Sequence, residues 1–313
     1  MKGYFTLSRL KLLFITKDHT FHIDKSSVYL IDELKKICDL NVWTTNGNIN
    51  EIINQIGERP DFILLNDHKP DYCPDISGLK NMKIPFGLIM HDLQYKMYKK
   101  KRFIRQENVQ HLFVNYRDAF KRWYPTYIDR MIWFPHHVPL KVFKDYQVSK
   151  DYDYLMMGAI YKELYPLRVA IMKWYRNNPA FTYVPHPGYK TMDHIGKGYK
   201  VGIDYARELN KAKIFFTCDS NYHFPLLKYY EALACGTLLL GTGSEELRDL
   251  GFIDGKTYVE INQSNFNEKA KYYLKNEAER LSIAKRGEEL IQQRHSTEIR
   301  ARELVVQISK LID

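Results

Sequence analysis

No run of about 18 uncharged apolar residues occurs anywhere in the chain, which leaves no candidate for a membrane-spanning helix. The start, MKGYFTLSRLKLLFITKD, has an apolar segment that Lys17 and Asp18 break too soon for a secretion signal. A soluble cytoplasmic protein is the expectation, with peripheral attachment at the inner membrane face left open. Cysteine is scarce as well. The 4 residues, Cys38, Cys73, Cys218 and Cys235, lie far apart without a Cys-x-x-Cys pair, which argues against a disulfide framework or a zinc site. Buried, reduced thiols acting as small apolar groups are the expectation. Internal repeats and low-complexity tracts are absent too. A lone Asp-x-Asp, at Asp151 and Asp153, falls in an irregular stretch at the start of a strand, so no metal is expected there.

What is present suits two packed cores. A chain of 313 residues that is 45% hydrophobic and 14% aromatic is long for one domain and comfortable for two. Its net charge of +10 leans toward the first half, where residues 1–140 hold 21 Lys and Arg against 15 Asp and Glu. Much of that excess lies in YKMYKKKRFIR, residues 95–105, with 6 basic residues and no acidic one. Such a run attracts phosphate-bearing partners, including an anionic acceptor, a membrane surface or DNA, or else forms a solvated helix end. Nothing in the sequence sets the oligomeric state.

Strand-like and helix-like segments alternate along the first half. LKLLFITKD (10–18) is a buried strand by its continuous apolar run, SSVYLIDELKKIC (26–38) a helix with serine caps, and LNVWTT (40–45) a strand. After the helix INEIINQIG come the strands DFILLND (61–67), IPFGLIMHD (84–92) and QHLFVNY (110–116). This alternation predicts an α/β fold with a doubly wound parallel sheet, whose ligands lie beyond the carboxyl ends of the strands. Lys17, Asp18, His19, Asp67, His68, His91 and Asp92 occupy those ends. The proline-rich, aperiodic segment 134–153 then reads as a link. A second alternating series follows it: the strand YDYLMMGAI, the helix PLRVAIMKWYRN, a strand near FTYVP, the helix IDYARELNKA and the strand KIFFTC.

The most informative stretch is FPLLKYYEALACGTLLLGTGSEELRDLGF, residues 224–252. Lys228 stands three residues before Glu231 on nearly one helix face, which sets a cation for phosphate beside a carboxylate for ribose hydroxyls. The small residues of Ala-Cys-Gly-Thr (234–237) let a ligand approach backbone amides. Upstream, Gly158 permits close approach at a strand end, and Lys162 and Arg168 are further cations for a diphosphate. His223, in the loop before the Glu231 helix, is a candidate contact to the donor. Gly243 and Ser244 could present amides to sugar or phosphate. The histidines His186 and His194 lack metal-ligand spacing on one helix face and read as loop residues, while Gly196, Gly198 and Tyr199 read as a flexible loop near a nucleotide base.

An acidic residue followed by Ala-Leu-Ala-Cys-Gly-Thr and an aliphatic strand resembles the donor-binding segment of GT-B glycosyltransferases, most closely the CgeB-like branch of the family-4-type group. The Gly-Ala-Ile-Tyr-Lys and Tyr-Pro-Leu-Arg elements of 158–168 and the Pro-His-His link fit the same branch. That resemblance implies an α/β GT-B fold of two Rossmann-like, doubly wound parallel-sheet domains facing a cleft. Residues 1–140 would form the acceptor domain, 141–290 the nucleotide-sugar domain, and 291–313 a helix packing back on the first domain. It also implies a metal-independent hexosyltransferase with Glu231 on the ribose of a UDP-linked donor. Where many members carry a second glutamate, eight residues before the first, this chain has His223. Phage DNA β-glucosyltransferases place a carboxylate base at the strand end that Asp92 occupies, so Asp92 is the first candidate base and His91 the second. A retaining enzyme would need no such base. The expected acceptor is a glycan or cell-surface polymer; modified DNA, a sugar-nucleotide epimerase and a non-catalytic binding module remain alternatives.

Overall fold

The computed structural model describes residues 9–188 and 199–312, which form two compact units. Residues 9–20, 25–135 and 300–312 make the first; 21–24 and 136–299 make the second.

In the first unit, β1 (Lys11–Ile15), α1 (Ser26–Ile37), β2 (Asp39–Trp43), β3 (Gly47–Asn48), α2 (Ile49–Ile56), β4 (Phe62–Asn66), β5 (Ile76–Ser77), β6 (Phe86–Met90), α3 (Met97–Gln106), β7 (His111–Val114), α4 (Arg117–Trp123) and β8 (Met131–Trp133) follow in order. Six strands pair in the order β2-β1-β4-β6-β7-β8. Every pairing is parallel, with Leu12 opposite both Leu40 and Phe62. The central strands FILLN and FGLIM are buried along their whole length, as a sheet covered on both faces requires. Helix ends follow local chemistry in α2, where Asn48 caps the first turn by accepting from Asn50 N–H and Gly57 closes the last turn at φ 72°. The serine caps expected for α1 are not formed. Its cap position is Lys25, and the Ser27 hydroxyl is held instead by His19 Nδ1 at 3.0 Å.

The second unit runs β9 (Tyr152–Met157), α5 (Pro166–Tyr175), β10 (Phe181–Val184), α6 (Gly202–Asn210), β11 (Ala212–Phe216), α7 (Leu227–Ala234), β12 (Leu238–Gly241), α8 (Glu245–Asp249), β13 (Val259–Glu260), α9 (Phe266–Lys275), α10 (Glu277–Arg294) and the first turn of α11 (Thr297–Ile312). Its sheet is parallel in the order β10-β9-β11-β12-β13. Tyr154, Ile171, Ile214, Leu240 and Ile283 lie in its core. The rest of α11 belongs to the first unit, where Ala301, Leu304 and Ile308, spaced along one helical face, join Leu30, Leu34 and Leu64 in that core.

Each sheet has one point where the chain reverses its direction of travel, between β1 and β4 in the first and between β9 and β11 in the second. A doubly wound sheet opens a crevice there, at the carboxyl ends of its strands.

Candidate functional site

At the reversal point of the second sheet, β9 is followed by Gly158 at φ +127°, a conformation that side chains rarely adopt. A Cβ there would stand 3.0 Å from Lys228 Cε and 3.3 Å from Arg168 Nη1, so both cations close on this glycine. Tyr183 fixes the turn by donating its hydroxyl to the Gly158 carbonyl at 2.7 Å.

The two cations do different things. Arg168 is 2% exposed. It donates to Ala159 O at 3.3 Å, Thr217 Oγ1 at 3.2 Å and Cys218 O at 3.1 Å, and lies 4.0 Å from the Tyr165 ring centre. It therefore ties the loop after β9 to the loop after β11, while its Nε is buried with no hydrogen-bond partner among the described residues. Lys228 is the second residue of α7, whose first turn has no side-chain cap. Its Nζ lies 3.4 Å from Tyr205 Oη and 5.0 Å from the ring centre. A cation and uncapped helix amides together form a site for phosphate.

One turn on, Glu231 is buried, and the neighbouring Tyr205 hydroxyl favours its charged form. Burial raises its carboxyl, against the pull of Lys228, and burial likewise lowers the Lys228 ammonium, against the pull of Glu231. Each charge is costly in this setting without the other, so a ligand offering hydroxyls and phosphate would meet groups with little competing solvation. Tyr205, which the sequence did not single out, reaches Lys228 from α6.

His186 follows β10 closely and lies in a loop, as expected. Desolvation, helped by the charges of Lys228 and Arg168, lowers its imidazole to about 4. It stands neutral beside the cations, and its Nδ1 accepts Gly188 N–H at 2.9 Å. Its place two residues past the strand end was the available signal.

The other expected donor contacts have surroundings of their own. Lys162 is exposed. His223, at φ +60°, pairs with Asp219 Oδ2 at 2.8 Å, and Asp219 Oδ1 in turn accepts the Thr242 hydroxyl at 2.6 Å. Ser244 Oγ accepts Leu247 N–H at 3.1 Å as the cap of α8. Gly243 backs onto the Glu260 carboxylate, which a Cβ would strike. His194, Gly196 and Gly198 lie outside the described residues; Tyr199 is exposed.

In the first unit, His91 and Asp92 follow β6. Asp92 Oδ2 accepts Lys69 Nζ at 3.1 Å. His91 stacks on Tyr72 with ring centres 4.7 Å apart, and its Nε2 lies 2.6 Å from Asn66 Oδ1. Beneath them Asp67, fully buried at φ +69°, accepts His91 N–H at 2.9 Å and Lys100 Nζ at 3.0 Å. Burial alone would raise the Asp67 carboxyl; Lys100 and then His91 outweigh it, and the net shift is downward. Lys100, at 1% exposure, is thus withdrawn from the basic run that the sequence presents as a surface feature. Lys96, Lys99, Arg102 and Arg105 of that run remain exposed.

Among the described residues no group of three or more His, Cys, Asp or Glu could hold a metal ion, and no helix is long and apolar enough to cross a membrane.

Residues 160–305, a little under half of the chain, match the family model described as Glycosyl transferase-like. No curated protein matches. Among solved structures, Anabaena HepE in complex with UDP and glucose is similar at a TM-score of 0.65 and 11% identity, over 96% of this chain and 100% of that one. A glycosyltransferase from Rickettsia africae gives 0.63 at 9% identity over 98% and 99% of the two chains. A Listeria monocytogenes protein described as a putative UDP-N-acetylglucosamine 2-epimerase gives 0.56 at 13% identity, over 98% and 97%. The fold is GT-B: two Rossmann-like α/β domains with parallel sheets.

Proposed function

We propose that the protein is a glycosyltransferase that takes a sugar from a UDP-linked donor and passes it to a hydroxyl acceptor, a glycan or cell-surface polymer, without a bound metal. The observation that carries this reading is the meeting of Gly158, Lys228 and Glu231 at the reversal point of the second sheet. Gly158 leaves room for the diphosphate, Lys228 and the first turn of α7 face its charge, and Glu231 receives the ribose hydroxyls. The same cations stabilise the nucleoside diphosphate as it leaves, the part a metal ion would otherwise take. The similarity of residues 160–305 to a glycosyltransferase family model supports the activity, and the UDP found in HepE supports the nucleotide.

The exposed cations of α3 suit an acceptor that carries negative charge. Donor binding is tested by titrating UDP and UDP-glucose into the purified protein. Saturable binding of either is expected, and no nucleotide binding at millimolar concentration would refute the reading. An epimerase would instead convert the free UDP-sugar to its epimer with no acceptor present, which product analysis of the same mixture detects.

A further inference from the structure

The helix α3 breaks several of the local rules that stabilise a helix. Lys96, at its cap position, stands at φ +41° and gives no side-chain cap, and the first turn holds no acidic residue. The macrodipole favours anions at that end, yet Lys99 and Lys100 occupy it. Lys99, Arg102 and Arg105 follow one another three residues apart, which sets like charges side by side. Arg102 Nε donates to Gln106 Oε1 at 3.1 Å, but among the described residues none of these three cations forms an ion pair. Local rules broken together on one surface mark a functional surface.

The helical register sorts the residues of α3 into two faces. Lys100 and Ile104 turn inward, and Lys100 pairs with Asp67 at 3.0 Å. Tyr98, Lys99, Arg102 and Arg105 fall on the other side, within about a third of the helix circumference. Tyr98 is 75% exposed, so an open aromatic ring stands among the cations. The turn 125–130 lies against the same helix, because Tyr127 Oη donates to Lys101 O at 3.4 Å, and it exposes Ile128. Two acidic residues border this surface. Glu107, just past α3, accepts Lys80 N–H at 3.0 Å, and Asp129 is exposed next to Ile128.

We propose that this face of the first unit docks on an anionic lipid bilayer, with Lys99, Arg102 and Arg105 on the lipid phosphates and Tyr98 at headgroup level. A helix with a cationic outward face and an amphipathic ring lies in the plane of such an interface. The phosphate backbone of DNA would engage the same cations but offers no apolar partner to Ile128. A bilayer surface offers both. Each Lys or Arg near an anionic bilayer strengthens binding about fivefold, so the three cations together set a reversible, salt-sensitive attachment. The inference goes beyond the transferase reading and does not rest on it.

Vesicle sedimentation with the full chain tests this. The wild type should bind vesicles of equal parts phosphatidylglycerol and phosphatidylcholine and ignore vesicles of phosphatidylcholine alone. It should be released in about 1 M salt, where screening shortens to about 3 Å. Lys99→Gln/Arg102→Gln/Arg105→Gln should bind the anionic vesicles about 100-fold more weakly. This variant relieves like-charge repulsion within α3, so its folding is not at risk. The control Lys173→Gln/Lys271→Gln/Lys275→Gln removes three exposed cations from the second unit and should bind as the wild type does. Equal weakening in both variants would show that net charge alone acts, and would overturn the proposal. So would no binding to anionic vesicles, or tighter binding to duplex DNA that the α3 variant abolishes. A second measurement places the ring. The native cysteines are all buried, so Tyr98→Cys offers one accessible thiol for an environment-sensitive fluorophore. Its emission should shift to the blue on anionic vesicles, and an unchanged spectrum at saturation would overturn the assignment of this face. Absence of UDP-glucose binding by the wild type would bring down the transferase reading alone and leave the vesicle result untouched.

Discussion

The reversal points of the two sheets are built on opposite plans. In the second sheet, charge is concentrated in a helix and one strand end: Lys228 and Glu231 share a turn of α7, and Gly158 brings the first of them against the backbone. In the first sheet, Asp67 and Lys100 neutralise each other in the interior, and Asn66, buried with them, hydrogen-bonds to Thr16 and to the His91 ring. The first arrangement suits a charged ligand; in the second the buried charges answer each other. The lesson is that topology supplies the same kind of crevice twice, and the side chains at the strand ends decide its chemistry.

Breaking the buried pair separates the two plans most sharply. Asp67→Ala or Lys100→Ala alone should cost about 3–5 kcal/mol in urea unfolding, because each leaves an uncompensated buried charge. The double variant Asp67→Leu/Lys100→Met should be markedly more stable than either single variant. Equal losses in all three would show that the pair does not act as a unit.

Gly158→Ala probes the other crevice. Its backbone angle and the nearness of Lys228 Cε predict a loss of about 1–3 kcal/mol together with weaker UDP binding. An unchanged affinity would separate Lys228 from the donor. Ser244→Ala should cost about 1 kcal/mol through its lost helix cap and leave UDP affinity intact. A large loss of affinity would instead return Ser244 to the donor site.

A separate effect is expected in acid. His186 has its pKa lowered from 6.5 to about 4 in the folded protein, so its neutral form is favoured by folding. Its contribution to stability is therefore fully present above pH 6.5 and is lost as pH falls toward 4. His186→Gln should flatten the stability curve across that window. A curve parallel to the wild type would contradict the burial of this ring beside Lys228.

The sequence revealed the second site better than the first for a physical reason. Lys228 and Glu231 are three residues apart on a helix, a spacing that fixes their neighbourhood without knowledge of the fold. The strands FILLN and FGLIM were equally legible, since continuous apolar runs identify buried parallel strands. Asp67 and Lys100 are 33 residues apart, and Thr16 and Asn66 are 50 apart. Only the strand order brings such residues together. Lys100 illustrates the difficulty: within six basic residues it looks solvated, yet one turn of α3 carries it inside. Likewise the α1 serines look like caps until His19 claims Ser27. The short β3, β5 and β13, of two residues each, carry no periodicity that a sequence could display.

Calorimetric titration of UDP-glucose into the wild type and Glu231→Ala tests the central claim most directly. The buried carboxylate should contribute about 1.5–3 kcal/mol through hydrogen bonds to the ribose, so the variant should bind roughly 10- to 100-fold more weakly. Equal affinity in the two proteins would contradict the assignment of the second-sheet crevice as the donor site.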